Sequence, residues 1–398
     1  MSNTILTPTM VTREALRVLH QKLNFIGSIN RQYDDQYAKT GAKIGTSLKI
    51  RLPNQYTVRT GATLSTQDTT ENSVTLNLAT QKGVDLNFTS VDLTLNLDDF
   101  SKRILNPAMS VLAAAIEADA LSMVQSVYNQ VNNAGSAITM QQVLLARKAL
   151  KDNLSPPDDK WTALLCTQDN VDLVNALKGL FQDSDTVAEQ YREGFMGRTA
   201  GFNFVENTLI AKQASGTEVA SPSSTMVVNG AGQTGASVTV TNPSAKTLVA
   251  GDIITFAGCN RCHPESKADT GVLQQFVVTA AVGTGGTSIP ISPSIVTSGA
   301  TQNCVASPTN TVANNKIGTA STSYGMSLAY HEDAFTFATA DLVMPKGVDF
   351  SAREVLDGIS MRIVRQYDIV NDKFPARIDV YYGYLAMRPQ LACRLANN

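Results

Sequence analysis

One stretch of about 110 residues, 213–322, differs in composition from everything around it, and this limits the fold more than any other feature. It is rich in Ser, Thr, Gly, Asn and Val and holds only eight Asp, Glu, Lys or Arg residues. Short β-branched or alternating runs recur at 237–241, 253–257, 275–280, 287–291 and 303–306, which predicts a small all-β barrel or sandwich. The flanks on both sides mix helical and strand patterns. The β unit is therefore expected as an insertion and not as a terminal appendage.

The flanking segments divide by period. Residues 9–38 carry Leu16, Leu19, Leu23 and Ile26 at helical spacing, with Arg13, Arg17 and Lys22 elsewhere, and predict an amphipathic arm within 1–38. Such an arm packs on its own domain or reaches a neighbouring chain. Within 39–85, the runs Ser47-Leu48-Lys49-Ile50-Arg51-Leu52 and Ser73-Val74-Thr75-Leu76-Asn77-Leu78 read as strands joined by the polar stretch 54–72. A hairpin with so little core at its tip leans on a partner. Its charges Lys49, Arg51, Arg59 and Glu71, with Arg13 and Arg17 of the arm, are the candidate contacts between subunits; a solvated edge that prevents aggregation is the plainer alternative.

In 86–135, a short helix at 101–105 leads into a longer one whose start is marked by Asn106-Pro107. Apolar residues from Val111 to Val131 predict about 25 helical residues, about 38 Å long. Residues 136–212 read as a helix at 139–154 stopped by Ser155-Pro156-Pro157, a buried strand at 161–166 and a helix capped by Thr167 that runs to about Leu177. After the insertion, 323–398 returns as strands at 327–338, 359–369 and 378–387.

Bulk properties narrow the function. Hydrophobic residues make up 43% and charged residues 17%, fewer charges than an average soluble surface carries, so much of this surface is expected to face protein. A net charge of -2 argues against phosphate binding as the main task. The N-terminus shows no secretory pattern and no run of about 18 apolar residues is apparent, so no membrane segment is expected. The five scattered cysteines are expected to be free thiols in a reducing compartment.

Candidate chemistry is sparse. Cys259-Asn260-Arg261-Cys262-His263 has the C-x-x-C-H spacing of covalent haem attachment and resembles half a zinc site that Cys304 or Cys166 would complete. The plain reading is a solvated loop with two thiols, and no cofactor is expected. Three histidines leave little material for a triad, and no phosphate-binding loop is present. The carboxylate clusters Asp98-Asp99, Asp158-Asp159 and Asp183/Asp185 fall near predicted turns or helix starts, where they serve the helix dipole.

The order of parts resembles the HK97-fold major capsid proteins of tailed phages, in particular the P22-like coat proteins with an inserted β-barrel. The resemblance is carried by Glu189-Gln190-Tyr191-Arg192-Glu193-Gly194, Ala200-Gly201-Phe202 and Val205-Glu206-Asn207-Thr208-Leu209 before the insertion, and by Val249-Ala250-Gly251-Asp252-Ile253-Ile254-Thr255-Phe256-Ala257-Gly258 within it. After it come Tyr330-His331-Glu332-Asp333-Ala334-Phe335 and Arg377-Ile378-Asp379-Val380-Tyr381-Tyr382-Gly383. It implies an α+β HK97-like capsid fold: an N-terminal arm (1–38), an extended loop (39–85), a peripheral domain with a spine helix (86–135), an axial α/β domain (136–212), the inserted barrel (213–322) and return strands (323–398). It further implies a non-enzymatic coat protein assembled in the host bacterial cytoplasm into pentamers and hexamers of a virion capsid. Its partners would be a scaffolding protein, a portal protein, packaged double-stranded DNA and a decoration protein. An encapsulin-type compartment shell is the alternative within the same fold.

Overall fold

A computed structural model describes residues 8–31, 47–89, 106–177 and 197–397, apart from positions 65, 70, 221–223, 243, 245, 357 and 371–372. The expected helix at 101–105, Asp98-Asp99, Asp183/Asp185 and the 189–194 motif lie outside the described residues. The chain divides into two compact units, each assembled from distant segments. One comprises Met1–Leu52, Ser73–Leu121 and Phe335–Met387; the other comprises Pro53–Asn72, Ser122–Ala334 and Arg388–Asn398.

In the first unit the organising element is the strand Lys373–Ala386. Thr80–Thr89 runs antiparallel along one edge of it, while Ile359–Arg365 and Phe335–Ala340 share the other; Phe350–Leu356 extends the sheet. Strand alternation puts Ala376, Ile378, Val380 and Tyr382 on one buried face. Helix α1 (Pro8–Lys22) buries Ala15, Leu16, Val18 and Leu19 against the sheet and the helix Asn106–Leu121, with Arg13 and Arg17 exposed, as the amphipathic pattern predicts. In α2 (Asn24–Ser28), Phe25 meets Phe335 edge to face with ring centroids 5.5 Å apart. The buried carboxylate of Glu117 accepts the backbone N–H groups of Phe25 and Ile26.

The expected long helix is shorter in α form. Helix α3 (Asn106–Leu121) passes into a 3-10 turn, Ser122–Ser126, and the residues beyond become the strand Gln130–Asn132. Val131 fits the helical period, but pairing with Ala392–Ala396 satisfies its backbone instead, so tertiary context overrides the local pattern. Asn106–Ser126 also corrects the expectation that no membrane-length apolar helix exists, since by length and composition it passes that test. Its apolar residues Met109, Leu112, Ile116 and Ala120 are nevertheless buried, and its Asp119 pairs with Lys82 Nζ at 2.7 Å and accepts the Tyr382 hydroxyl at 2.6 Å. These are the contacts of a core helix.

The hairpin forms as expected, Ser47–Arg51 against Ser73–Asn77, with Leu48 opposite Leu76 and Ile50 opposite Val74. Ile50, Leu76 and Leu78 pack with Ala338, Ala340 and Met387, so the base of the hairpin has a core.

In the second unit a six-stranded mixed sheet runs Gln130–Asn132, Ala392–Ala396, Met326–His331, Trp161–Leu165, Phe202–Glu206, Arg198–Thr199. Helix α4 (Met140–Asp152) is closed at its start by a Thr139/Gln142 capping box and lays Val143, Ala146 and Leu150 on this sheet, beside Trp161 and Phe202. In helix α5 (Thr167–Leu177), Thr167 is the first helical residue and not the cap. The expected strand 327–338 is two strands, Met326–His331 and Phe335–Ala340, broken by the turn Glu332–Ala334.

Gln213–Ala214 pairs antiparallel with Ser323–Tyr324, which brings the two ends of the stretch 213–322 together. Inside it, six antiparallel strands are ordered Asn314–Ile317, Ile253–Phe256, Phe276–Val278, Ser288–Ile295, Gly235–Thr241, Val227–Val228. Val227 bridges Ala313, and Val228 N donates to Val312 O at 2.8 Å, so the last strand meets the segment leading into the first. The run at 303–306 forms only a bridge, Arg261 to Cys304.

Candidate functional site

Residues 53–72 expose apolar side chains that a free chain would bury: Tyr56 is 56%, Leu64 77% and Val58 94% exposed. The stretch keeps its shape without a strand ladder. The Gln67 amide clamps the opposite limb, with Thr57 N donating to Oε1 at 2.9 Å and Nε2 donating to Thr57 O. Arg59 curls back to the carbonyls of Gly61 and Thr63. A shaped loop that presents apolar groups to water is a surface made to be covered.

The candidate contact charges are placed as follows. Lys49 and Arg51 are exposed on the hairpin strand, and Glu71 is exposed where the loop returns. Arg17 grips Glu14 through two nitrogens, at 2.7 and 2.9 Å, which raises the Arg17 pKa. Arg13 lies 3.9 Å from Glu354. Arg17 and Arg59 therefore make intramolecular bonds, which the sequence reading did not anticipate. It also missed the exposed Ile369 and Val370: the strand expected over 359–369 stops at Arg365 and the pair stands on the turn beyond. Alternation alone does not reveal where a strand ends.

The C-x-x-C-H motif does not converge. Cys259 and Cys262 are buried, and Cys262 Sγ points to Gln302 O at 3.1 Å. His263 Nδ1 instead accepts the backbone N–H groups of Glu265 and Ser266. Cys166 N donates to Ser327 Oγ at 3.0 Å, beside the six-stranded mixed sheet. Among the described residues no group of three or more His, Cys, Asp or Glu is arranged to hold a metal ion. Asp158 and Asp159 have structural partners: Asp158 accepts from buried His331 Nε2 at 3.0 Å, and Asp159 pairs with Arg198.

Two charge clusters are buried. In the first unit, Asp379 binds Arg362 at 2.6 Å and Arg377 at 2.8 Å. Burial pushes the Asp379 carboxyl up, but the two guanidinium groups outweigh it and hold the pKa below its usual value. At the base of the insertion, buried Lys316 donates to Gly216 O at 2.9 Å and Glu218 O at 3.1 Å, while Asp252 Oδ2 accepts from Gly216 N and Val249 N. Arg394, also buried, donates to Gly251 O at 2.8 Å. Close by, Gln275 forms both members of a strand-like pair with Gln130: Gln130 N donates to its Oε1 at 2.7 Å and its Nε2 donates to Gln130 O at 3.1 Å. These groups join structural elements.

A shaped loop with uncovered apolar groups, beside buried charges whose partners are structural, is the surface of a protein that associates with others. The family model described as P22 coat protein - gene protein 5 matches residues 9–394. The chain belongs to the P22 coat protein family and is a major capsid protein that forms the icosahedral head of a bacteriophage. No curated protein matches the chain. Among solved structures it is similar to a chain of Mycobacterium phage Che8, at 12% identity and TM-score 0.48, over 94% of this chain and 90% of that one. It is also similar to a chain in the capsid of Cyanophage P-SCSP1u, at 11% identity and TM-score 0.44, over 89% and 84%. A third is from the head of Helicobacter pylori bacteriophage KHP40, at 8% identity and TM-score 0.38, over 88% and 84%.

Proposed function

We propose that the subunit assembles without catalysis into pentamers and hexamers, directed by a scaffolding protein, and that the closed shell takes in double-stranded DNA. The observation that carries this reading is the loop at 53–72, whose exposed Tyr56, Val58 and Leu64 need a neighbouring subunit to cover them. The arm (1–38) and extended loop (39–85) are the overlapping parts, with Arg13, Arg17, Lys49, Arg51, Arg59 and Glu71 at the contacts. Residues 86–135 form the peripheral domain, and 136–212 with 323–398 the axial domain and return strands. The insertion (213–322) is a closed β-barrel, a reading supported by the Val227–Ala313 bridge that joins one outer strand to the segment leading into the other. Portal and decoration proteins complete the set of partners, and assembly takes place in the host cytoplasm.

Negative-stain microscopy of recombinant protein produced with its scaffold should show closed particles, whereas a persistent small oligomer would contradict the reading. Deleting 56–70 should abolish shells while the monomer keeps its circular dichroism and melting point. Nuclease-protected DNA inside particles separates the phage head from a compartment that holds protein cargo.

A further inference from the structure

The buried thiols of the insertion take no part in the surfaces described so far. The C-x-x-C spacing suggests a bond between Cys259 and Cys262, but the fold puts Cys259 with a different partner. Residues 260–262 run antiparallel to 303–305: Arg261 is bridged to Cys304, Val305 N donates to Asn260 O at 2.9 Å, and Cys262 N donates to Asn303 O at 3.1 Å. Positions two apart on an extended strand share a face. Cys259, two before Arg261, therefore falls on the face of Cys304, and Cys262 falls on the other. In agreement, Cys259 and Cys304 belong to one hydrophobic core, while Cys262 Sγ turns to the Gln302 carbonyl. The interaction between the two thiols favours the Cys259 thiolate and disfavours that of Cys304.

We propose that Cys259 and Cys304 are an oxidisable dithiol, which hydrogen peroxide converts to a disulfide that staples the insertion. The Cys259 thiolate attacks one peroxide oxygen; an S–O bond forms, the O–O bond breaks, and hydroxide leaves and is protonated to water. Cys304 sulfur then attacks the Cys259 sulfenic sulfur; the S–S bond forms, the S–O bond breaks, and the departing hydroxide takes the Cys304 proton as a second water. Two thiols are oxidised and one peroxide is reduced to two waters. The staple closes a loop of about 46 residues, long enough for a marked restriction of the unfolded chain. A reducing cytoplasm keeps such thiols reduced, and a virion outside the cell has left that protection. The dithiol would therefore be reduced during assembly and oxidised after release.

Trypsin makes the test direct, because cleavage after Arg261 separates Cys259 from Cys262, and cleavage after Lys267 leaves Cys304 on a third peptide. Assembled particles are treated with hydrogen peroxide, unfolded in N-ethylmaleimide, digested without reductant and analysed by mass spectrometry. The expected product is a Cys259–Cys304 linked peptide pair, with Cys262 alkylated and the linkage lost on dithiothreitol treatment. Oxidised particles should also melt higher than reduced ones, a shift that Cys262→Ser keeps and Cys304→Ser removes. A Cys259–Cys262 linkage, sulfinic acid on Cys259 beside alkylated Cys304, or alkylation of all three thiols would overturn the proposal. The wild-type map decides the question even if Cys304→Ser fails to fold.

Discussion

Lys316→Met keeps the length and most of the volume of a buried side chain and removes its charge, so it isolates what the ammonium does at the base of the insertion. The wild-type Nζ binds two carbonyls, Gly216 O and Glu218 O, and the Glu218 and Asp252 carboxylates favour its charge against the burial that lowers its pKa. Methionine leaves those carbonyls without their donor and removes one cation from beside the two carboxylates. Two hydrogen bonds to a charged group are worth about 1.5–3 kcal/mol each, and removing one partner of a buried charge set costs about 3–5 kcal/mol. Taking ~4 kcal/mol, the folded-to-unfolded ratio falls about a thousandfold. A unit of this size loses about 4 °C of melting point per kcal/mol, which predicts a fall of about 16 °C. The assay is hydrogen exchange read by mass spectrometry on peptides covering Ile253–Phe256, Phe276–Val278 and Asn314–Ile317. Protection there should drop by two to three orders of magnitude, on the order of the thousandfold just derived. Exchange within about threefold of wild type would refute the reasoning, because backbone pairing alone would then hold the base.

Three further outcomes follow from the packing. Asp379→Asn should destabilise the protein at neutral pH and flatten its acid response. The Asp379 pKa is depressed in the folded state, so its contribution is present above the usual carboxylate pKa of about 4 and is lost as pH falls through the lower folded value; melting curves from pH 7 to 2 test this. Leu150→Ala should cost about 2–5 kcal/mol in urea unfolding, because Leu150 is wholly buried between α4 and its sheet. Gly383→Ala should cost at least 1–3 kcal/mol in the same assay, since an added Cβ would overlap the Asn77 carbonyl where the hairpin lies on the long strand.

The parts most legible in the sequence were those whose local chemistry agrees with the tertiary environment. The β character of the stretch between Gln213 and Thr322 was visible because charge almost disappears there, as expected of residues that make one β core. Helix α4 was visible with its Ser155-Pro156-Pro157 stop, while its Thr139/Gln142 capping box was not read from the sequence. The end of α3 was not, since Val124, Val127 and Val131 continue the helical period while Val131 finds its backbone partner more than 260 residues away. Nor was the division of 326–340 into two strands, because every residue in both strands is buried and the run shows no alternation. At the candidate site, the polar loop and its charges were readable, but the self-binding of Arg17 and Arg59 and the Cys259–Cys304 pairing depend on geometry that spacing does not encode.

The Gln275 side chain has a consequence for a molecule that works at very high copy number. Gln130–Asn132 is the outermost strand of its sheet, and open strand edges invite a second chain to add on and continue the sheet into a fibre. With its amide oxygen and nitrogen on Gln130 N and O, Gln275 occupies the two bonds that an incoming strand would use first. The edge is thereby closed by a single residue, and crowded subunits are denied a linear path of growth that would compete with a curved, closed particle.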